Sequence, residues 1–141
     1  MKKENLNIPV YRGKKIDSDE YFEGLLVKGN SDTGKEAFFI QECDFWMEIQ
    51  IDPTTLAIHF PDMIDSQGNK IFASLSEYGK GGDIGQNDDY GYNKYVFIYN
   101  AEAFEFGIKL IIEENTEKEC WEYECLKNEY LELFRTIGIQ K

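Results

Sequence analysis

The sequence predicts a mainly β protein of the α+β kind, with antiparallel sheets and one amphipathic helix at its C-terminal end. Three observations predict it. Short stretches with apolar residues at every second position recur along the chain, which is the period of a half-buried strand. Clusters of Gly, Pro, Asn and Asp separate them, as turns between strands require. Only the last segment, 116–137, changes to the period of a helix.

Residues 8–16 and 20–28 read as two strands joined by the polar turn Asp17-Ser18-Asp19. Gly13 and Gly24 interrupt them, and a glycine inside a strand marks a bulge or a close backbone approach. Residues 29–35 form a loop and 37–41 a short apolar strand. Residues 44–51 form another, with Phe45, Met47, Ile49 and Ile51 at period two. Asp52-Pro53-Thr54-Thr55 reads as a turn, because proline presets φ and the Asp carboxylate can accept from amides ahead of it. Leu56, Ile58 and Phe60 then alternate with Thr55, Ala57 and His59, a strand with one buried face that Pro61 ends.

A second turn, Asp65-Ser66-Gln67-Gly68-Asn69, leads into a return strand over 70–75, so that 55–75 reads as a hairpin with a wide acidic connection. Residues 79–91 read as a long polar loop containing five glycines. Residues 92–100 are a strand with Tyr95, Phe97 and Tyr99 on one side and Lys94, Val96 and Ile98 on the other. One more strand follows over 107–113, with 101–106 readable either way. Thr116-Glu117-Lys118-Glu119 fits a capping box. Beyond it Tyr123, Leu126, Tyr130, Leu133, Phe134 and Ile137 fall within an arc of about 100° on a helical wheel, and Gly138 supplies the stop.

A chain of 141 residues makes one domain, or two small subdomains sharing a core, a β-rich 1–114 and a helix over 115–138. With 10 Phe, 9 Tyr and 2 Trp it can build a core without staples. Its charge is the strongest compositional signal. Against 15 basic residues stand 27 acidic ones, a net charge of −12 that repels DNA and anionic lipid at long range and favours solubility or a basic partner. Cys43, Cys120 and Cys125 are an odd set without framework spacing, as suits a reducing cytosol. No apolar run has the length of a signal peptide or membrane span, which points to a cytoplasmic location.

One set of motifs resembles the YopX family of phage and prophage proteins. It comprises Asp52, Pro53 and Thr55, then Asp65, Gly68, Lys70, Ile71 and Phe72, and finally Gly82, Asp83 and Ile84. The opening Tyr11-Arg12-Gly13-Lys14-Lys15-Ile16-Asp17, followed by Glu23-Gly24, is similar to the family's N-terminal run, and the likeness covers residues 8–85. The chain departs from the pattern twice. Phe60-Pro61-Asp62-Met63 stands where the family has Thr-Gly-Leu, and residues 73–81 intervene before Gly82-Asp83. The resemblance implies an SH3-like barrel or roll, a phage-derived gene for a bacterial host cell, and no established activity to carry over. It marks Arg12, Gly13, Asp52, Pro53, Asp65, Gly68, Gly82 and Asp83 as structural or interaction positions.

Several motifs suggest chemistry and fail on inspection. Residues 29–36, GNSDTGKE, nearly match a P-loop. However, Glu36 replaces the hydroxyl that would bind magnesium, Asp32 adds charge inside the cradle, and a strand follows where phosphate needs a helix N-terminus. A plain hairpin loop is the better reading. The three cysteines and His59 lack the paired spacing of a zinc site, and His59, the only histidine, reads as a partly exposed sheet residue rather than a base. Asp62, Asp65, Asp83, Asp88 and Asp89 show no calcium-loop spacing and read as solvated loop charge. Tyr90, Tyr92, Tyr95, Phe97 and Tyr99 could stack on single-stranded nucleic acid, but only Lys94 is near to track a backbone, so they read as packing. Arg12, Lys14 and Lys15 form the one basic knot and are expected to pair across the first hairpin with Glu20 and Glu23.

No catalytic, metal-binding or cofactor-binding residue emerges, and no cofactor is called for. The leading functional expectation is a non-enzymatic module that binds another protein or itself, with no direct nucleic-acid or membrane partner. Two alternatives stand beside it. One is an acidic mimic that occupies a host DNA-binding protein, and the other is an enzyme with a carboxylate site in the 79–91 loop.

Overall fold

A computed structural model describes residues 9–42, 47–76, 79–87, 94–102, 105–111, 123–125 and 134–141. The first four strands are β1 (Val10–Lys15), β2 (Tyr21–Asn30), β3 (Glu36–Gln41) and β4 (Glu48–His59). Each pairs antiparallel with the next, and β4 returns to pair with β1, which closes a four-stranded barrel. Directly opposed residues share a face. Gly13 with Phe22, Leu26 with Ile40, and Phe38 with Ile51 therefore point the same way. That way is inward, because Ile40, Ile51 and Leu56 form a core onto which Tyr11, Phe22, Leu26, Phe38 and Leu75 pack. Burying such a side chain is worth roughly 1.5–3 kcal/mol.

The end of β4 belongs to both the barrel and a second sheet, pairing with β1 on one edge and with a further strand on the other. There Ala57 and Ile58 pair with Ser74 and Ala73 of β5 (Ala73–Ser74). The sheet continues through β7 (Lys94–Asn100), parallel to β5 at Ser74–Ile98. β7 is flanked by β6 (Asp83–Asn87) and β8 (Glu105–Ile111), and β10 (Phe134–Ile139) pairs with β6. β9 (Tyr123–Cys125) pairs with β8. A second core forms here from Met63, Ile71, Ala73, Phe97, Ile108 and Phe134, bordered by Phe60, Tyr95, Tyr99 and Phe106. The aromatic residues expected to pack rather than stack on bases do so at Tyr95, Phe97 and Tyr99. Tyr90 and Tyr92 lie outside the described residues.

Several expectations need correction. Asp52-Pro53-Thr54-Thr55 does not end a strand. β4 runs through it, and Gly13 alone lies opposite residues 53–56, because Arg12 pairs with Ala57 and Lys14 with Asp52. The turn chemistry has become a wide bulge. The strand after it is buried on both faces, from Thr55 to His59, because the second sheet covers what would be its wet side. The 79–91 stretch is not all loop, since β6 occupies Asp83–Asn87.

The helix expected over 116–137 is absent wherever its residues are described, for Tyr123–Cys125 and Phe134–Ile139 are strands. Residues 116–122 and 126–133 of that expectation lie outside the described residues. Phe134 is 5% exposed, its ring set edge-on to Tyr95 and Phe97, and that packing overrides local periodicity.

Candidate functional site

Where β1 leaves the barrel core, Arg12 faces the opposite way from Tyr11 and Gly13 and enters the second sheet. Its Nη2 lies 2.9 Å from Asp83 Oδ1 and donates to the Gly81 carbonyl at 2.7 Å. The guanidinium carbon sits 4.5 Å from the centre of the Phe72 ring and 5.7 Å from that of Tyr21, within reach of cation–π attraction. Asp83 completes the joint. Its Oδ2 accepts the Phe72 N–H at 2.9 Å, and its own N–H donates to the Phe72 carbonyl at 2.8 Å. Both side chains are 8% exposed.

Asp83 and Arg12 are therefore a buried ion pair joining barrel to sheet. This corrects two expectations at once, because Asp83 is not solvated loop charge and Arg12 does not pair with Glu23 across the hairpin. Glu23 lies opposite Arg12 in register, but its carboxylate approaches Lys70 at 3.8 Å. Burial pushes the Asp83 carboxyl above the usual carboxylate range, against the opposing pull of Arg12 and the Phe72 N–H. Arg12 Nε has no hydrogen-bond partner among the described residues, which adds to the cost of burying the pair.

The backbone around this joint is crowded. A Cβ on Gly81 would run into the Thr55 carbonyl, and one on Gly82 would sit 2.7 Å from the Phe97 oxygen. Gly13 faces Ile51, whose Cδ1 would lie 2.5 Å from a Cβ there. Asp52, in the bulge, accepts from the Thr54 N–H at 3.0 Å and the Thr54 hydroxyl at 2.7 Å, and Pro53 beside it is exposed. Thr55 is fully buried and ties the bulge shut, donating to the Asp52 carbonyl and accepting from the Lys14 N–H.

Asp65 makes a separate constellation. Its Oδ1 accepts from the Gln67 and Asn69 amides, each at 2.8 Å, while Gly68 takes φ 83° to turn the chain. Its Oδ2 accepts from the N–H and hydroxyl of Thr136 in β10, at 3.0 and 2.8 Å. The Ser66 N–H donates to the Phe134 carbonyl. The turn thus occupies the edge of β10 that β6 does not. Asp65 is 4% exposed, another departure from solvated loop charge. Burial raises its pKa, but the amide and hydroxyl donors outweigh that and hold it down at about 2.

His59 is 5% exposed rather than partly exposed, with Nδ1 3.0 Å from the Ile71 carbonyl and its ring 5.5 Å from that of Phe72. Burial lowers its pKa, so near neutral pH the ring is uncharged and its Nδ1–H donates to Ile71. Of the other candidates, Asp62 is exposed, and Asp88, Asp89, Cys43 and Cys120 lie outside the described residues. Among the described residues no group of three His, Cys, Asp or Glu could hold a metal ion, and no helix is long and apolar enough to cross a membrane. The P-loop-like stretch is a hairpin loop between β2 and β3, with Glu36 in β3 lying 3.4 Å from Lys28.

The structure thus brings Arg12, Gly13, Gly82 and Asp83 to one joint and leaves Asp65 and Gly68 at another. Sequence reasoning missed Thr136, the partner of Asp65, and named Phe72 only as a motif position, not as the partner of Asp83. Compared with protein-family models, curated proteins and solved structures, the chain matches none.

Proposed function

We propose that this is a non-enzymatic binding module of phage type, working in the cytoplasm of a bacterial host by holding another protein or a second copy of itself. The barrel serves it as an SH3-like platform, and the motif resemblance to the YopX family supports the phage origin. The observation that carries the reading is the outer surface of the barrel. Leu25 is 44% exposed there, on a face shared with Val27 and Phe39, and Ile16 is 38% exposed. Scattered surface apolar residues carry no message, whereas contiguous ones mark contact surfaces.

The disposition of the chemistry-bearing groups supports the same reading. Asp65, Asp83 and His59 are each engaged in hydrogen bonds that hold backbone segments together. A general base must instead present its lone pair to a substrate.

Sedimentation velocity over a range of protein concentrations, with affinity capture from bacterial lysate against a control protein of equal charge, tests the reading. Self-association or a partner absent from the control is the expected result. A protein that stays monomeric and retains nothing beyond the control would overturn it.

A further inference from the structure

We propose that the outer face of the barrel around Leu25, Val27 and Phe39 docks a cationic segment of a partner protein. The proposal rests on the binding-module reading and names the face and the chemistry of its occupant. Strand register defines the face. Leu25 lies opposite Gln41, Val27 opposite Phe39, Gln50 opposite Phe39, and Glu48 opposite Gln41. These side chains alternate with Leu26, Phe38 and Ile40, which fill the barrel, so they stand on its outside.

Glu23, two residues before Leu25, shares that side. The set Glu23, Leu25, Val27, Phe39, Gln41, Glu48 and Gln50 holds three apolar side chains, two amides and two carboxylates. Of the cations on that side, Arg12, opposite Glu23, is buried under the second sheet, and Lys70 lies 3.8 Å from Glu23.

Three arguments choose the occupant. β3 pairs with both β2 and β4, but β2 pairs with β1 only over Tyr21–Gly24 and with β3 over Leu25–Asn30. Among the described residues the latter stretch is therefore paired on one edge only and offers its other edge to an extended segment. Recognition can combine that edge with side chains laid across the face. A second copy would bring Glu23 and Glu48 and a further net charge of −12 against the same carboxylates, and like charges at an interface are strongly unfavourable. A segment carrying Lys or Arg beside apolar residues satisfies both parts of the face. It covers Leu25, Val27 and Phe39 and meets the two glutamates, and the acidic protein steers it in. The existing contact of Glu23 with Lys70 is long, at 3.8 Å, and half-exposed. Such surface pairs contribute little and yield readily to a partner.

The probe is a short peptide of alternating leucine and lysine, with its leucine–glutamate counterpart as control, added to the full-length protein. Amide shifts in two-dimensional NMR should cluster at Leu25, Val27, Phe39, Gln41 and Glu48. Leu25→Ser should weaken binding about tenfold or more, equivalent to about 1.4 kcal/mol. Glu48→Gln should weaken it and reduce its salt dependence, while Ile137→Ser and Glu36→Gln should leave it unchanged. Shifts spread over acidic residues elsewhere, equal affinity in Leu25→Ser, equal binding of the glutamate peptide, or no binding would each overturn the proposal. So would a dimer that dissociates on Leu25→Ser, which would assign the face to a second copy. A captured partner retained undiminished by Leu25→Ser would overturn this site and leave the binding-module reading standing. Absence of any specific association would remove that reading itself.

Discussion

Arg12 and Asp83, on strands that belong to different cores, meet at 2.9 Å in a joint where each side chain is 8% exposed. Such a pair is not a simple stabiliser, because desolvating two charges costs about as much as their attraction returns. Losing one partner is a different matter. Asp83→Asn keeps an acceptor for the Phe72 N–H but strands the guanidinium, and should cost about 3–5 kcal/mol of unfolding free energy in urea. The double variant Arg12→Met with Asp83→Asn should recover a large part of that loss. Strict additivity of the two single changes would show that the pair is not coupled.

Asp65 should govern acid stability. Its folded pKa of about 2 lies below the ordinary 3.8. The stability it contributes is therefore present above the unfolded value and is lost as pH falls from about 4 through 2. The shift corresponds to about 2–3 kcal/mol. Urea midpoints between pH 5 and 2 should fall steeply in the natural chain and less steeply in Asp65→Asn. Parallel curves would mean that the carboxylate does not carry the Thr136 contacts.

His59 supplies a second pH dependence in a different window. Burial holds its pKa below the ordinary 6.5. The unfolded chain then binds a proton that the folded chain refuses, and stability declines as pH falls below about 6.5 towards the folded value. As the only histidine, it can be titrated by NMR without assignment. A midpoint below 6.5 is expected, with loss of the corresponding stability slope in His59→Gln. A midpoint at or above 6.5 would place the ring in water or beside a carboxylate.

Strands that alternate against local turns were legible, which is why β1, β2, β3 and β7 fall close to where the residues put them. β6 was not. Asp83-Ile84-Gly85-Gln86-Asn87 has the composition of a loop, and its reason for being a strand lies elsewhere, since Gly85 lets the ring of Phe97 approach to where a side chain would collide. The bulge at residues 53–56 was read as a turn because its local chemistry is that of a turn. Only the closure of β4 onto β1 makes it part of a strand. Of the candidate site, Arg12 and Asp83 were visible as motif positions, yet nothing local in sequence says that they touch. The burial of His59 depends in the same way on a sheet contributed by later residues.

The C-terminal strand gives the sharpest contrast between pattern and packing. The spacing of Tyr123, Leu126, Tyr130, Leu133, Phe134 and Ile137 suits one face of a helix, but Phe134–Ile139 pairs with β6 and is fastened on its other edge by Asp65 and Ser66. Phe134 is the anchor, at 5% exposed between Tyr95 and Phe97. Phe134→Ala should cost about 3–5 kcal/mol, as truncations of buried aromatics do. Thr136→Val keeps the side-chain shape but removes the hydroxyl donor to Asp65. It should cost about 1–3 kcal/mol, as loss of a hydrogen bond to a charged group does, chiefly at neutral pH where the carboxylate is ionised. Cα chemical shifts distinguish the two conformations directly. Upfield displacement from Phe134 to Ile139 is expected for the strand, whereas a run of downfield displacements with a mild Phe134→Ala phenotype would restore the helix.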